Sequence, residues 1–122
     1  MANVLIAEDD ELVRNTIRRF LRLNQHDIIA CQDGQEARDW LDQNHPLDLL
    51  ITDLRMPRMD GLSLIRHLRA QRPSVPIIVL SGYVTDGMAS ELADLPACHL
   101  LAKPFQLAAL TAALDQALAP AP

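Results

Sequence analysis

Lysine is almost absent from this 122-residue sequence, in which ten of the eleven basic residues are arginines and the only lysine is Lys103. A surface that needs only positive charge has used arginine everywhere else, so position 103 is predicted to require the compact ammonium of a lysine. The net charge of -5 argues against a nucleic-acid-binding surface, because such a surface needs a basic patch.

Long apolar runs and histidines spaced to bind a transition metal are lacking as well. The acidic segment 8–11 (EDDE) interrupts the first apolar run, so we expect no signal segment, no membrane span and a cytoplasmic protein. The four histidines have no ligand spacing, which argues against a transition-metal site. Cys31 and Cys98 each lie in an apolar run and are expected to be buried, reduced thiols.

What the sequence does contain is a regular alternation of β-like and helical apolar patterns, within the length of one domain, residues 1–122. Strands are predicted at 3–7, 27–31, 48–53, 77–81 and 98–102. Helices are predicted at 11–23, from the Asp33-Gly34 turn to about 44, at 61–71, at 85–95 and at 105–119. The alternation predicts an α/β fold, a doubly wound (βα)5 sandwich around a parallel sheet.

Polar side chains stand at the carboxyl ends of four predicted strands, where the site of such a sheet lies. In chain order they are Glu8-Asp9, Asp53, Ser81 and Lys103. In strand order 2-1-3-4-5, strands one and three are neighbours, about 4.8 Å apart, and their carboxylates converge. In order 3-2-1-4-5, strand two would separate them. Because clustered carboxylates make chemical sense and scattered ones do not, the flavodoxin-like order 2-1-3-4-5 is predicted.

Three carboxylates close together repel one another, and a hard divalent cation would remove that conflict. Mg²⁺ suits Glu8, Asp9 and Asp53, because it binds a few carboxylate oxygens and keeps waters that phosphate oxygens can replace. Ser81 could donate a hydroxyl hydrogen bond to those oxygens, and Lys103 could neutralise their charge. The set predicts a phosphoryl-transfer site in which Asp53 is the nucleophile and forms an acyl phosphate.

Each of these residues alone also has an ordinary structural explanation. The acidic residues at 8–11 could simply stabilise the N-terminus of the first helix through its dipole, as Asp10 and Glu11 are expected to do. Ser81 could be a turn residue before glycine, and Lys103 could be a surface charge. Their common position at one edge of the sheet favours the functional interpretation.

Five segments, in this order and at these spacings, closely resemble the receiver domain of two-component response regulators over residues 3–118. They are 4–10 (VLIAEDD), 48–57 (DLLITDLRMP), 59–61 (MDG), 80–82 (LSG) and 102–105 (AKPF). The resemblance implies a phosphorylation-activated signalling switch, a regulator rather than an enzyme. Its Asp53 would take a phosphoryl group from a sensor histidine kinase or histidine phosphotransfer protein, with Mg²⁺ as cofactor.

The resemblance also implies individual roles for the other site residues. Asp9 would bind Mg²⁺ directly and Glu8 through water, and the backbone carbonyl of Arg55 would complete the metal's protein ligands. Ser81 would be the switch hydroxyl that moves toward the phosphoryl group. Lys103 would contact that group, and its bond to Pro104 would be cis.

The chain departs from the family pattern at the position three residues before Lys103, where Leu100 replaces the usual Tyr or Phe. Signal transmission through Ser81 would then depend on packing changes and not on rotation of a ring. Arg55 and Tyr83 lie two residues beyond Asp53 and Ser81, respectively. Both could overhang the site and slow the attack of water on the phosphoryl group.

Two surfaces could bind partners. Arg14, Arg18 and Arg22 recur every four residues on the first helix, as a solvated face or as a docking stripe for the phosphodonor. The alanine-rich last helix would expose a smooth, weakly polar face, explained either by helix propensity or by a contact. The last two helices and strand five could thus bind a downstream protein or form a homodimer.

Other functions remain as alternatives at the level of sequence. A phosphatase of the haloacid dehalogenase type would need a second aspartate two residues after the first, where this chain has Arg55. A nucleotide-binding flavodoxin-like module would need a glycine-rich loop after strand one. The chain could be a stand-alone receiver that acts through protein contact, or a receiver excised from a hybrid kinase or a longer regulator.

Overall fold

A parallel five-stranded sheet organises the chain in the computed structural model, which describes residues 2–82, 87, 90 and 97–119. The strands are β1 (Asn3–Ala7), β2 (Asp27–Cys31), β3 (Leu49–Asp53), β4 (Ile77–Ser81) and β5 (Cys98–Ala102). The helices are α1 (Glu11–Leu23), α2 (Gly34–Leu41), α3 (Gly61–Gln71) and α4 (Leu107–Ala117). The strand order is β2-β1-β3-β4-β5, which confirms the predicted topology.

Successive residues of each strand point to opposite faces of the sheet, and each face has its own core. On one face, Ile6 of β1 packs in a cluster with Ile17 of α1 and Leu110 of α4. On the other face, Leu5 packs in a cluster with Leu41 of α2 and Leu64 of α3. Because both faces of the sheet are covered, β3 and β4 are buried along their whole length.

Three aspartates begin three of the helices. Asp10 accepts hydrogen bonds from the backbone N–H groups of Leu12 and Val13, at 2.9 and 3.2 Å. Asp33 and Asp60 cap α2 and α3 through the same kind of bond, each 2.8 Å long. These caps satisfy helix donors that would otherwise have no partner, so helix starts could be predicted from sequence.

The predicted boundaries of three elements need correction. β3 begins at Leu49, one residue later than predicted, and α2 ends at Leu41 rather than near 44. The last helix, α4, is shorter at both ends than the predicted 105–119. The predicted helix at 85–95 lies, apart from positions 87 and 90, outside the described residues.

The two cysteines lie on the opposite edge strands of the sheet, and both are free thiols. Cys31 is buried as predicted, and this burial raises the pKa of its thiol to about 12. Cys98, predicted to be buried, is only half-buried, because it lies on the edge strand β5, where four of the five residues are partly accessible or exposed. No helix in the described part of the chain has the length and apolar character needed to cross a membrane.

Gly61 allows the start of α3 to approach the end of β3. A Cβ atom at this position would lie 1.9 Å from the carbonyl oxygen of Asp53 and 2.8 Å from the Cα atom of Leu54. Both neighbours are backbone atoms, which cannot move aside as a flexible side chain would. At Gly82, in contrast, the nearest atom of the described residues to an added Cβ would be the Cβ of Lys103, at an ordinary contact distance of 3.9 Å.

We expect Gly61→Ala to lower the free energy of unfolding by about 2–3 kcal/mol, because the added methyl group forces β3 and α3 apart. Urea denaturation followed by circular dichroism measures the change. Gly82→Ala is the matched control and should stay within about 0.5 kcal/mol of the wild type. Equal denaturation midpoints for the two variants would refute the steric argument.

Candidate functional site

The pairing of β1 with β3 brings the predicted carboxylates together. Ala7 lies opposite Thr52 in the parallel register, so Glu8 and Asp53 come next to each other where the strands end. Carboxylate oxygens of Glu8, Asp9 and Asp53 all lie within 4.8 Å of one another. Glu8 and Asp53 are buried, whereas Asp9 is exposed. The strand-order argument from sequence therefore led to a real cluster.

Lys103 joins this cluster from the end of β5, the strand at the edge of the sheet. Ser81 lies opposite Ala102 in the pairing of β4 with β5, and the N–H of Lys103 donates to the carbonyl oxygen of Ser81 at 2.9 Å. The Lys103 side chain reaches back so that Nζ donates to Oδ2 of Asp53 at 2.6 Å. The same ammonium forms an ion pair with Glu8. The only lysine thus bridges two buried carboxylates.

The pKa values of the bridge follow from burial and charge. Burial raises the pKa of Glu8 to about 7, with a further increase from Asp53, although the hydrogen bond to Lys103 opposes both. Burial would lower the pKa of Lys103, but its hydrogen bonds to Asp53 and Glu8 outweigh that effect and raise the pKa. One ammonium therefore does not fully compensate two buried carboxylates.

Asp53 is held by the backbone around it as well as by Lys103. Its Oδ1 accepts a hydrogen bond from the N–H of Arg55 at 3.2 Å. Its carbonyl oxygen accepts one from the Thr52 hydroxyl at 2.9 Å. The carboxylate is therefore fixed at the end of a buried strand while its oxygens face the other acids.

The donor set fits a hard divalent cation such as Mg²⁺. Oxygen atoms from three carboxylates converge, and Arg55, whose backbone carbonyl is the expected further ligand, lies in the adjoining loop. Oε1 of Glu8 is buried, and its partner among the described residues is the ammonium of Lys103, which it shares with Asp53. A cation would supply the compensation that these oxygens lack.

Arg14 has a role at the site that the sequence did not reveal. Its Nη1 donates to the backbone carbonyl oxygen of Glu8 at 3.0 Å, and the N–H of Asp10 donates to Oε2 of Glu8 at 3.2 Å. Spacing had grouped Arg14 with Arg18 and Arg22 as one basic stripe. In the structure, Arg14 is half-buried and turned toward the site, while Arg22 is exposed.

The remaining site predictions have mixed outcomes. The Lys103-Pro104 peptide bond is cis, as predicted. Ser81 is buried at the end of β4, the strand next to Asp53. Leu100, which replaces the usual aromatic residue, is 53% exposed on β5. Tyr83, which was predicted to overhang the site, lies outside the described residues.

Comparison with known proteins identifies relatives along almost the whole chain. A family model described as the response regulator receiver domain matches residues 4–115. Response regulator MprA of Mycobacterium sp. (strain KMS) is 39% identical over 111 residues, which are 89% of this chain and 47% of that protein. The chain spans about half the length of the curated relatives it matches.

Solved structures agree with these relatives. A response regulator receiver protein from Pseudomonas putida is 32% identical, with a TM-score of 0.85 over 94% of this chain and 96% of that one. The chemotaxis protein CheY4 of Vibrio cholerae is 28% identical, with a TM-score of 0.87 over 97% of this chain and 99% of that one. Fold, strand order and segments of sequence therefore point to the same family.

Proposed function

Because this chain belongs to the family of response regulator receiver domains, we propose that its 122 residues act as one receiver domain whose phosphorylated residue is Asp53. The protein is a phosphorylation-activated signalling switch of a two-component system. The observation that supports Asp53 is its place among three carboxylates with Lys103 Nζ at 2.6 Å. Asp53 is the last residue of the buried strand β3, and an ammonium and a backbone N–H donate to its two oxygens.

In the proposed reaction, a carboxylate oxygen of Asp53 attacks the phosphorus of a phosphohistidine. A phosphorus–oxygen bond forms while the phosphorus–nitrogen bond breaks, and the electron pair leaves with the imidazole. Lys103 stabilises the negative charge that develops on the transferred group, because its ammonium already lies against the acceptor carboxylate. The Ser81 hydroxyl donates a hydrogen bond to a phosphoryl oxygen, and this contact couples phosphorylation to a change in the position of Ser81.

Glu8, Asp9, Asp53 and the backbone carbonyl of Arg55 would hold Mg²⁺, with Glu8 acting through water. When bound, Mg²⁺ neutralises the carboxylates and the oxygens of the incoming phosphoryl group. Glu8 and Asp53 are kept in place by Lys103, and Glu8 in addition by Arg14 and Asp10. The protein itself acts as a regulator, since the phosphoryl group stays on its own side chain.

We expect the wild type to gain one phosphoryl group from acetyl phosphate and Mg²⁺, as measured by intact mass. Asp53→Asn should gain none, because the amide is not a nucleophile for this reaction. Removal of Mg²⁺ with EDTA should slow the wild-type reaction by about a hundredfold or more, given the charge that the metal neutralises. A wild type that stays unmodified, or an equally modified Asp53→Asn, would refute the assignment.

Slow loss of the phosphoryl group is part of the proposal. Arg55 is exposed and follows Asp53 by two residues, so its side chain can cover the phosphoryl group and hinder an attacking water. This effect comes from the side chain, whereas the metal contact would come from the backbone. The two roles can therefore be separated by substitution.

We expect Arg55→Ala to lose its phosphoryl group about two- to tenfold faster than the wild type, because water then approaches more freely. Loss of the acyl phosphate is followed by intact mass after acetyl phosphate is removed. Arg38→Ala, an exposed arginine on α2, is the control and should match the wild type. An unchanged rate in Arg55→Ala would eliminate the shielding role.

Partner contacts are proposed on two separate surfaces. The first is the face of α1 that carries the half-buried Arg18 and the exposed Arg22, which would bind an acidic surface of a histidine kinase or phosphotransfer protein. The second is the side of β5 and α4, where Leu100 is 53% and Leu107 is 47% exposed. Large exposed apolar side chains of this kind suit a downstream protein or a second copy of the chain.

We expect Arg18→Glu/Arg22→Glu to slow phosphorylation by a phosphotransfer protein about tenfold or more, because charge reversal repels an acidic donor. Phosphorylation by acetyl phosphate, which needs no docking, should stay unchanged. Reactions with each donor, quenched at successive times and analysed for phosphorylated protein, measure the two rates.

Leu100→Ser is the matched control on the other surface. It should leave both rates unchanged but weaken association of the phosphorylated chain, as measured by light scattering after size exclusion. Equal slowing with both donors in the arginine variant would mean damage to the site and not to docking.

A further inference from the structure

The loop that follows Asp53, residues 54–60, is confined by a glycine at its far end. Gly61 lies so close to β3 that its Cβ would be 1.9 Å from the carbonyl oxygen of Asp53. Its N–H donates to the carbonyl oxygen of Leu54 at 3.0 Å, which closes the base of the loop. Within the loop, Leu54 is buried and Met56 packs against the core under α2 and α3.

A second glycine, Gly34, comes from a distant part of the chain and receives the tip of the loop. A Cβ at Gly34 would lie 2.1 Å from the carbonyl oxygen of Met59 and 2.8 Å from its carbonyl carbon. The N–H of Met59 donates to the carbonyl oxygen of Pro57 at 2.8 Å, and Arg58 between them has a φ of 69°. A strained, tight turn is thus seated in a space that only glycine leaves open.

Asp33, next to Gly34, fixes the same turn through charge. Its Oδ1 accepts the capping bond from the N–H of Glu36, and its Oδ2 lies 3.4 Å from Nη1 of Arg58. The Asp33 side chain is 9% exposed and that of Arg58 is 61% exposed. A carboxylate this buried needs polar partners, so Asp33 ties the start of α2 to the loop.

Arg55, the proposed carbonyl ligand of Mg²⁺, belongs to this loop. We propose that Asp33 and Gly34 are positioning residues for the metal site, an inference that rests on the proposed function. They hold Arg58 and Met59, and through them they keep the backbone at Arg55 beside the carboxylates. Neither residue touches the reacting groups.

Metal affinity and reaction rate should respond differently to a shift of the loop. Mg²⁺ requires near-ideal octahedral geometry, so a displaced carbonyl ligand weakens its binding. Asp53 is part of β3, and its nucleophilic carboxylate is fixed by the sheet and by Lys103. A loosened loop therefore raises the dissociation constant for Mg²⁺ and leaves the maximal rate at saturating metal nearly unchanged.

The test uses Gly34→Ala and Arg58→Ala, with Arg38→Ala as a matched arginine control on α2. Titration with magnesium chloride, followed by the rise in Tm, gives the dissociation constant without any phosphoryl transfer. For Gly34→Ala we expect the dissociation constant for Mg²⁺ to rise about tenfold or more, as it does when a residue that supports a metal ligand is removed. For Arg58→Ala, loss of an ion pair that is exposed only on its arginine side predicts an increase of about two- to fivefold. Arg38→Ala should match the wild type.

Acetyl phosphate reactions at increasing Mg²⁺ supply the second measurement. The Mg²⁺ concentration for half-maximal rate should rise with the dissociation constant, and the maximal rate should stay within about twofold. Asp33→Asn keeps the helix cap but loses the charge, so it should behave like Arg58→Ala. The double variant should be no worse than either single one, because both remove the same ion pair.

The inference is overturned if Gly34→Ala is folded by circular dichroism and binds Mg²⁺ as tightly as the wild type. It is also overturned if only the maximal rate falls, or if the wild type binds no Mg²⁺. Should Gly34→Ala fail to fold, Asp33→Asn and Arg58→Ala decide the question. A wild type that binds Mg²⁺ but takes no phosphoryl group would refute the proposed function and leave this inference standing on the measured dissociation constants.

Discussion

The bridge from Lys103 to Glu8 and Asp53 is the interaction on which the site depends. It connects the ends of β1, β3 and β5, although β5 lies at the edge of the sheet with β4 in between. One ammonium holds two buried carboxylates that would otherwise repel each other. The single positive charge of Lys103 does not balance the two carboxylates, so the site can accept a divalent cation and then a phosphoryl group.

Close backbone contacts give this electrostatic arrangement its rigidity. The segment 53–59 lies against Gly61 at its start and against Gly34 at its tip, and at both places an added Cβ atom would collide with backbone atoms. Flexible side chains would allow small displacements, whereas carbonyl groups seated on glycines do not. The charged cluster therefore lies in a frame that is set by packing and not by the charges themselves.

The sequence allowed the strand order and the carboxylate cluster to be predicted, because Asp53 makes chemical sense only if strands one and three are neighbours. The starts of α1, α2 and α3 were also predictable from their capping aspartates, whereas α4, which has no such cap, begins two residues later than predicted. The role of Arg14 was not, since a four-residue spacing is the same for a solvated stripe and for a guanidinium turned inward. The seat of Met59 on Gly34 was equally hidden, because it joins segments 25 residues apart in the chain, whose approach depends on tertiary packing.

The scarcity of lysine has a practical consequence for chemistry on this protein. Every other basic side chain that is permanently charged is a guanidinium, so amine-selective acylating reagents find one side-chain amine, and it lies in the site. Acylation of Lys103 removes the charge that compensates Glu8 and Asp53. The rate of that acylation therefore reports directly on how firmly the two carboxylates hold the ammonium, and it serves as a built-in probe of the state of the site.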